Sequence, residues 1–121
     1  MDRFVLENRL IDFSVNLIKL FSKFPDTYVA DHLSKQMIRS GTSPALNYGE
    51  ACSAESPRDF VHKMGICLKE LRETSVCLKI ILRSEIIKTE LIIPLLTENN
   101  ELISIFVKSI QTSKRNQKVN R

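Results

Sequence analysis

The sequence predicts an all-α fold, an up-down-up-down bundle of four antiparallel helices, and three observations carry that expectation. Apolar residues return at three- and four-residue steps over long segments, the spacing that gathers side chains on one helix face. Ser, Thr, Asp and Pro cluster at the breaks between those segments, where helix ends find their caps. No stretch alternates apolar and polar residues as a half-buried strand does, and no repeat of solenoid period appears.

Helix 1, over about 4–24, carries Leu6, Leu10, Phe13, Leu17, Leu20 and Phe24 on one line, with Ile11, Ile18 and Phe21 widening the stripe. It stops before Pro25, whose ring disfavours the helical conformation at Phe24, and Asp26 or Thr27 is placed to cap the next helix. Helix 2, over about 27–53, shows Val29, Leu33 and Met37 and then meets Ser40, Gly41, Thr42, Ser43 and Pro44 in succession. Inside a helix Gly costs ~1 kcal/mol and Pro ~3 kcal/mol relative to Ala. Ser43-Pro44 equally has the form of an N-cap with its proline at the first helical position, so one kinked helix and two shorter ones both fit.

Helix 3, over about 57–84, has the clearest start: Ser56 as N-cap, Pro57 next, and Asp59 in the first turn, where the helix dipole favours an anion. Phe60, Met64, Cys67 or Leu68, Leu71, Ser75, Leu78 and Leu82 keep the 4-3 rhythm of bundle packing. After a connector from Glu85 to Ile93, Pro94 opens helix 4, expected over 94–113, with Leu95, Asn99, Leu102, Phe106 and Ile110 on one face. Ile103, Ile105 and Val107 fall outside that line. A helix apolar on more than one side is buried on more than one side, which makes Ile103, Phe106, Val107 and Ile110 the candidates for a subunit interface.

At 121 residues the chain has the size of one domain, and a hydrophobic share of 43% with 26% charged residues is that of an ordinary globular protein. Charges at Glu7, Arg9 and Asp12 interrupt any signal-like apolar start, and Lys88, Glu90 and Pro94 break the most apolar run, so neither secretion nor a membrane span is expected. Cys52, Cys67 and Cys77 form no CxxC pair and read as reduced packing residues of a cytoplasmic protein. The net charge is +4, but segment by segment the body is nearly neutral, and Lys114 to Arg121 alone contributes +4. The expected domain is therefore a bundle over 1–113 and then a basic, flexible tail over 114–121.

Catalytic chemistry finds no foothold. His32 and His62 sit on different helices without a second ligand at i+3 or i+4, and no HExxH, GxSxG or phosphate-cradling glycine loop occurs. Neither metal nor cofactor nor small-molecule substrate is expected. What stands out is a polar row on helix 2, Arg39, Ser43, Asn47 and Glu50, opposite Lys63, Lys69, Glu70 and Glu73 on helix 3. With the turn centred near residue 55, Arg39 falls beside Glu70 or Glu73 and Asn47 beside Lys63. Small residues at Gly41, Ala45, Gly49 and Ala51 would let the backbones approach. A carboxylate paired with a cation is held as an anion, which suits a structural network and not a general acid.

The same residues carry a family likeness. Leu33-Ser-Lys-Gln-Met-Ile-Arg-Ser-Gly-Thr-Ser-Pro-Ala-Leu-Asn-Tyr-Gly-Glu-Ala51, then Ser56 to Met64, Lys69 to Thr74, Asn100-Glu-Leu102, Ile105-Phe106 and Ser109-Ile110, resemble the bacterial four-helix-bundle 23S rRNA-intervening-sequence proteins. The run Arg39-Ser-x-x-Ser-x-x-x-Asn-Tyr48 is unusual for any helix. The resemblance implies a continuous, kinked helix 2 and a barrel-like homopentamer. For one branch, the accessory protein of diversity-generating retroelements, it implies a reverse transcriptase as partner and nucleic acid bound through basic surface. Two positions depart from the pattern: Gly49 replaces a basic residue, and Cys77-Leu78-Lys79 an aromatic-rich stretch.

The expected function is thus a non-enzymatic, homo-oligomeric scaffold or adaptor. Lys79, Arg83, Lys108, Lys114, Arg115 and Lys118, toward the ends of helices 3 and 4, are its candidate contacts to RNA or DNA backbone or to a protein partner. The alternative is a purely protein-binding subunit docking a larger enzyme such as a reverse transcriptase.

Overall fold

Asp2, Thr27 and Ser56 each turn a side-chain oxygen back onto a free amide of the first helical turn, accepting from Phe4, Ala30 and Asp59. The structure, a computed structural model, describes residues 1–119, and these caps open its first three helices: α1 (Arg3–Phe21), α2 (Tyr28–Cys52) and α3 (Pro57–Ser84). The fourth is α4 (Thr89–Val119). No strand occurs among the described residues. Glu85 ends α3 in the left-handed conformation with φ 57°, its amide donating to the Leu82 carbonyl.

Each helix packs against its chain neighbours and α4 closes back on α1, so the diagonal pairs α1–α3 and α2–α4 face one another across the core. Partners on α2 and α3 fall in opposite order along the two helices: Gln36 with Glu73, Arg39 with Glu70, Glu50 with Lys63. The enclosed side chains are Leu10, Phe13 and Leu17 from α1, Met37 from α2, Met64, Leu71, Leu78 and Ile81 from α3, and Ile92, Leu102 and Phe106 from α4. Each contributes on the order of 2 kcal/mol by leaving water. Polar groups inside this core are few and mostly satisfied. The Thr74 hydroxyl donates to the Glu70 carbonyl and lies 2.9 Å from Ser40 Oγ, and the Asn99 amide donates to the Leu71 carbonyl at 2.9 Å.

Several boundaries differ from those the sequence suggested. α2 is one element through Pro44, which is itself buried. Burial of Tyr48 and Ala51 beyond the proline, on the same side as Met37, offsets the hydrogen bond its missing amide cannot make. α4 begins at Thr89 and not at Pro94, because Ile92 is a fully buried core residue and needs helical backbone before the proline. Pro94 stands exposed in the second turn, where its missing amide forgoes the bond to the Glu90 carbonyl, a loss offset by the burial of Ile92 and Leu95 on either side. At the other end the helix continues to Val119, so Lys114, Arg115 and Lys118 are helical residues where a flexible tail was expected. The Gln117 amide donates to the Pro57 carbonyl at 3.1 Å and ties this extension to the start of α3. Asn120 and Arg121, the last of that tail, lie outside the described residues.

Candidate functional site

The seam between α2 and α3 is built by two helices that present polar residues at 3–4 spacing along their shared outer edge. Arg39 reaches Glu73 at 2.6 Å and Glu70 at 3.3 Å, and the Gln36 amide donates to the same Glu73 oxygen at 2.9 Å. The Arg39 hydrogen bond holds the Glu73 carboxyl below the ordinary carboxylate value of 4.5, and the same bond raises the Arg39 guanidinium. Lys63 pairs with Glu50 at 3.5 Å. Asn47 does not face Lys63 as the register suggested: its amide donates to Ser43 Oγ at 2.9 Å and to the Ser43 carbonyl at 3.0 Å, one turn back on its own helix. That local bond satisfies the amide without a partner across the seam. Of the small residues placed here for close approach, Gly49 faces open space, while Gly41 abuts Leu17 of α1.

A depressed carboxylate sets the sign of a pH effect. Glu73 binds its proton less readily folded than unfolded, so the stability it contributes is present above its unfolded pKa and is lost as pH falls through the lower folded value. Arg39→Gln is therefore expected to be less stable than the parent at neutral pH and to converge with it in acid below that carboxylate range, as thermal melts across a pH series would show. A difference that stays constant down to full protonation would sever the pair from stability.

A second ionic clamp was not visible in the sequence. Arg9 of α1 donates from Nε to Glu98 at 3.0 Å and from its terminal nitrogen at 2.5 Å, a bidentate pair, with Glu101 at 3.6 Å. It fastens the first helix to the last, and the Glu98 hydrogen bond raises the Arg9 guanidinium further. Burial pushes the Cys67 thiol up to about 12 and the Cys77 thiol up to about 11; both donate to carbonyls of α2, at Pro44 and Leu33. Protonated thiols at neutral pH are poor nucleophiles, and packing is their evident role.

The interface candidates on α4 are placed differently from expectation. Phe106 is 0% exposed and meets Tyr48 edge-on, ring centroids 5.8 Å apart, inside the protomer's own core. Ile103, Val107 and Ile110 are half-buried, and Ile103 and Ile110 pack against that core. α4 is flanked by both α1 and α3, so two of its sides are covered within one chain. Among the helices α1 carries the largest group of exposed apolar residues, with Phe4, Ile11, Val15 and Ile18 at 66, 43, 40 and 54% exposure, while α4 leaves only Leu91, Ile93 and Val119 open to this degree. Ile11 and Ile18 do not widen the core stripe; at 100° per residue they point well away from Leu10, Phe13 and Leu17.

The basic candidates Lys79, Arg83, Lys108, Lys114, Arg115 and Lys118 are all exposed. Lys79 and Arg83 share the outer face of α3 with Arg58 and Arg72, which sequence reasoning missed, and with Lys69, which it had placed in the row facing α2. Their spacing at multiples of one turn, opposite the apolar stripe, was the available signal. Among the described residues no group of three or more His, Cys, Asp or Glu is gathered as for a metal ion, and no helix is long and apolar enough to cross a membrane.

Residues 5–108 match the family described as 23S rRNA-intervening sequence protein. A solved structure, a protein of unknown function from the S23 ribosomal protein family of Bacteroides thetaiotaomicron, is 30% identical to this chain. The likeness covers 87% of this chain and 97% of that one, with a TM-score of 0.79. Among curated proteins nothing matches.

Proposed function

The chain belongs to the 23S rRNA-intervening sequence protein family, and we propose that it serves as a non-enzymatic, self-assembling adaptor whose basic surface meets RNA or DNA backbone. The observation that supports assembly is the second apolar stripe of α1. Phe4, Ile11, Val15 and Ile18 share one side of the helix, with Val5 at 50% and Phe21 at 40% exposure off its two edges. The stripe's area is on the order of several hundred Å², that of the largest apolar patch on a typical monomer, which is often a functional surface. That approaches the ~800 Å² each copy gives to a stable interface. The stripe's spacing of seven, four and three residues is that of a helix seam.

A homopentamer is the assembly proposed, in line with the resemblance of the polar run on α2, and the cytoplasm is the compartment proposed, in line with three free cysteines. Ile11→Glu/Ile18→Glu places two charges on the strip and touches no core residue. Sedimentation is expected to give a multiple of 13.9 kDa for the parent and 13.9 kDa for the variant, with helical content retained. A parent that already sediments as one chain would overturn self-assembly and turn the same strip toward the alternative reading, an accessory subunit docking a larger enzyme such as a reverse transcriptase.

A further inference from the structure

Between Pro57 and Ser84 every exposed residue of α3 is neutral or basic. Arg58, Lys69, Arg72, Lys79 and Arg83 stand on this outward face at separations of eleven, three, seven and four residues, close to whole turns of the helix. They form one ridge roughly 38 Å long at 1.5 Å per residue. The acids of the same helix are sorted away from it: Glu70 and Glu73 are half-buried on the flank toward α2 and paired with Arg39, and Asp59 is half-buried in the first turn. Among the described residues, ion pairs occupy Arg9, Lys35, Arg39 and Lys63, and none of the five ridge cations. Adding charge by segment hid this, because the acids cancel the cations in the sum while occupying a different side of the helix.

We propose that the outer ridge of α3 is a binding surface for the phosphate backbone of double-stranded nucleic acid. The inference rests on the nucleic-acid clause of the function proposed above and names its surface. A row of unpaired cations on a rigid helix matches a polyanion whose charges are also fixed in space, and its length is about that of one duplex turn, ~34 Å. Single strands are commonly held by aromatic side chains that stack on bases, and the exposed face of α3 carries no Phe, Tyr or Trp. Contacts made to phosphates position a duplex and carry no sequence information, so binding through this ridge is expected to be indifferent to sequence. Within an oligomer the ridge would be repeated on every copy.

Fluorescence anisotropy with the full chain and labelled duplex RNA, duplex DNA and single strands of the same sequence tests this, over a salt series. The parent is expected to prefer the duplexes, with log K falling by about 0.9 per phosphate neutralised on B-form DNA. Lys69→Gln/Arg72→Gln/Lys79→Gln is expected to weaken binding at least ~10-fold at low salt and to flatten that slope by roughly two to three. Lys114→Gln/Arg115→Gln/Lys118→Gln on α4 is expected to bind nearly as the parent does. The ridge positions are exposed, so an unchanged melting curve keeps the comparison clean. No binding by the parent at low salt removes the nucleic-acid reading as a whole. Parental binding that survives the ridge substitutions but is lost with those on α4 keeps that reading and overturns the ridge. Preference for single strands, or equal capture by anionic vesicles, also defeats the proposal.

Discussion

Phe106→Ala is expected to lower the free energy of unfolding by about 3–5 kcal/mol, because it deletes a whole ring from the enclosed core and leaves a cavity that relaxation of the neighbours fills only in part. The ring is 0% exposed and stands edge-on to Tyr48 at 5.8 Å, so the variant forfeits burial, the cavity's lost contacts and the aromatic pair together. Domains of this kind hold only ~5–15 kcal/mol in all, and Phe106→Leu supplies a milder step along the same path. Denaturant midpoints for both variants check the order: parent, then Leu, then Ala. The result also decides which surface Phe106 serves. A residue buried by a neighbouring copy would, on truncation, change the sedimenting mass and leave the protomer's stability nearly intact. A residue of the protomer's own core does the reverse, and Ile11→Glu/Ile18→Glu on α1 should show the opposite pattern.

Phe106 illustrates what the sequence could and could not say. Periodicity identified α4 as apolar on more than one side, which is correct, but a pattern within one helix does not tell whether its second side meets a sister helix or another chain. The contacts of α4 with α1 and α3 answer that, and they depend on how the bundle closes. The same blindness worked in reverse on α1: Ile11 and Ile18 read as a broader core stripe although they lie on the open side of the helix. Capping chemistry was the most legible feature. Ser56-Pro57 marks the start of α3 to the residue, because the cap needs only neighbouring atoms. Pro94 misled for the same reason, being a local start signal overridden by the burial of Ile92 just before it. Arg9 with Glu98 joins residues far apart in sequence, and that register emerges only once the lengths of all the intervening turns are known.

Gly41 gives the second large effect, and its sign separates two explanations for a glycine inside a helix. Its φ is not positive, so freedom of the backbone is not the reason it is there. On propensity alone Gly41→Ala should stabilise α2 by up to ~1 kcal/mol. A Cβ built at Gly41, however, overlaps Leu17 Cδ1, and Leu17 is 0% exposed with no room to retreat. Overpacking a close-fitted core costs ~1–3 kcal/mol. Gly41→Ala is therefore expected to be destabilising on balance, and Gly41→Leu severely so. Leu17→Ala alone should cost ~2–5 kcal/mol, but added to Gly41→Ala it vacates the space the new methyl needs. The double variant is then expected to be more stable than the two single losses predict, by upward of ~0.5 kcal/mol. Gly49 supplies the contrast within the same helix: nothing lies within 4 Å of a Cβ there, so Gly49→Ala should stabilise, by the same propensity of up to ~1 kcal/mol. Denaturant unfolding of these variants measures all of this, and if Gly41→Ala stabilised as Gly49→Ala does, the close approach of α1 to α2 at Leu17 could not be what holds a glycine at that position.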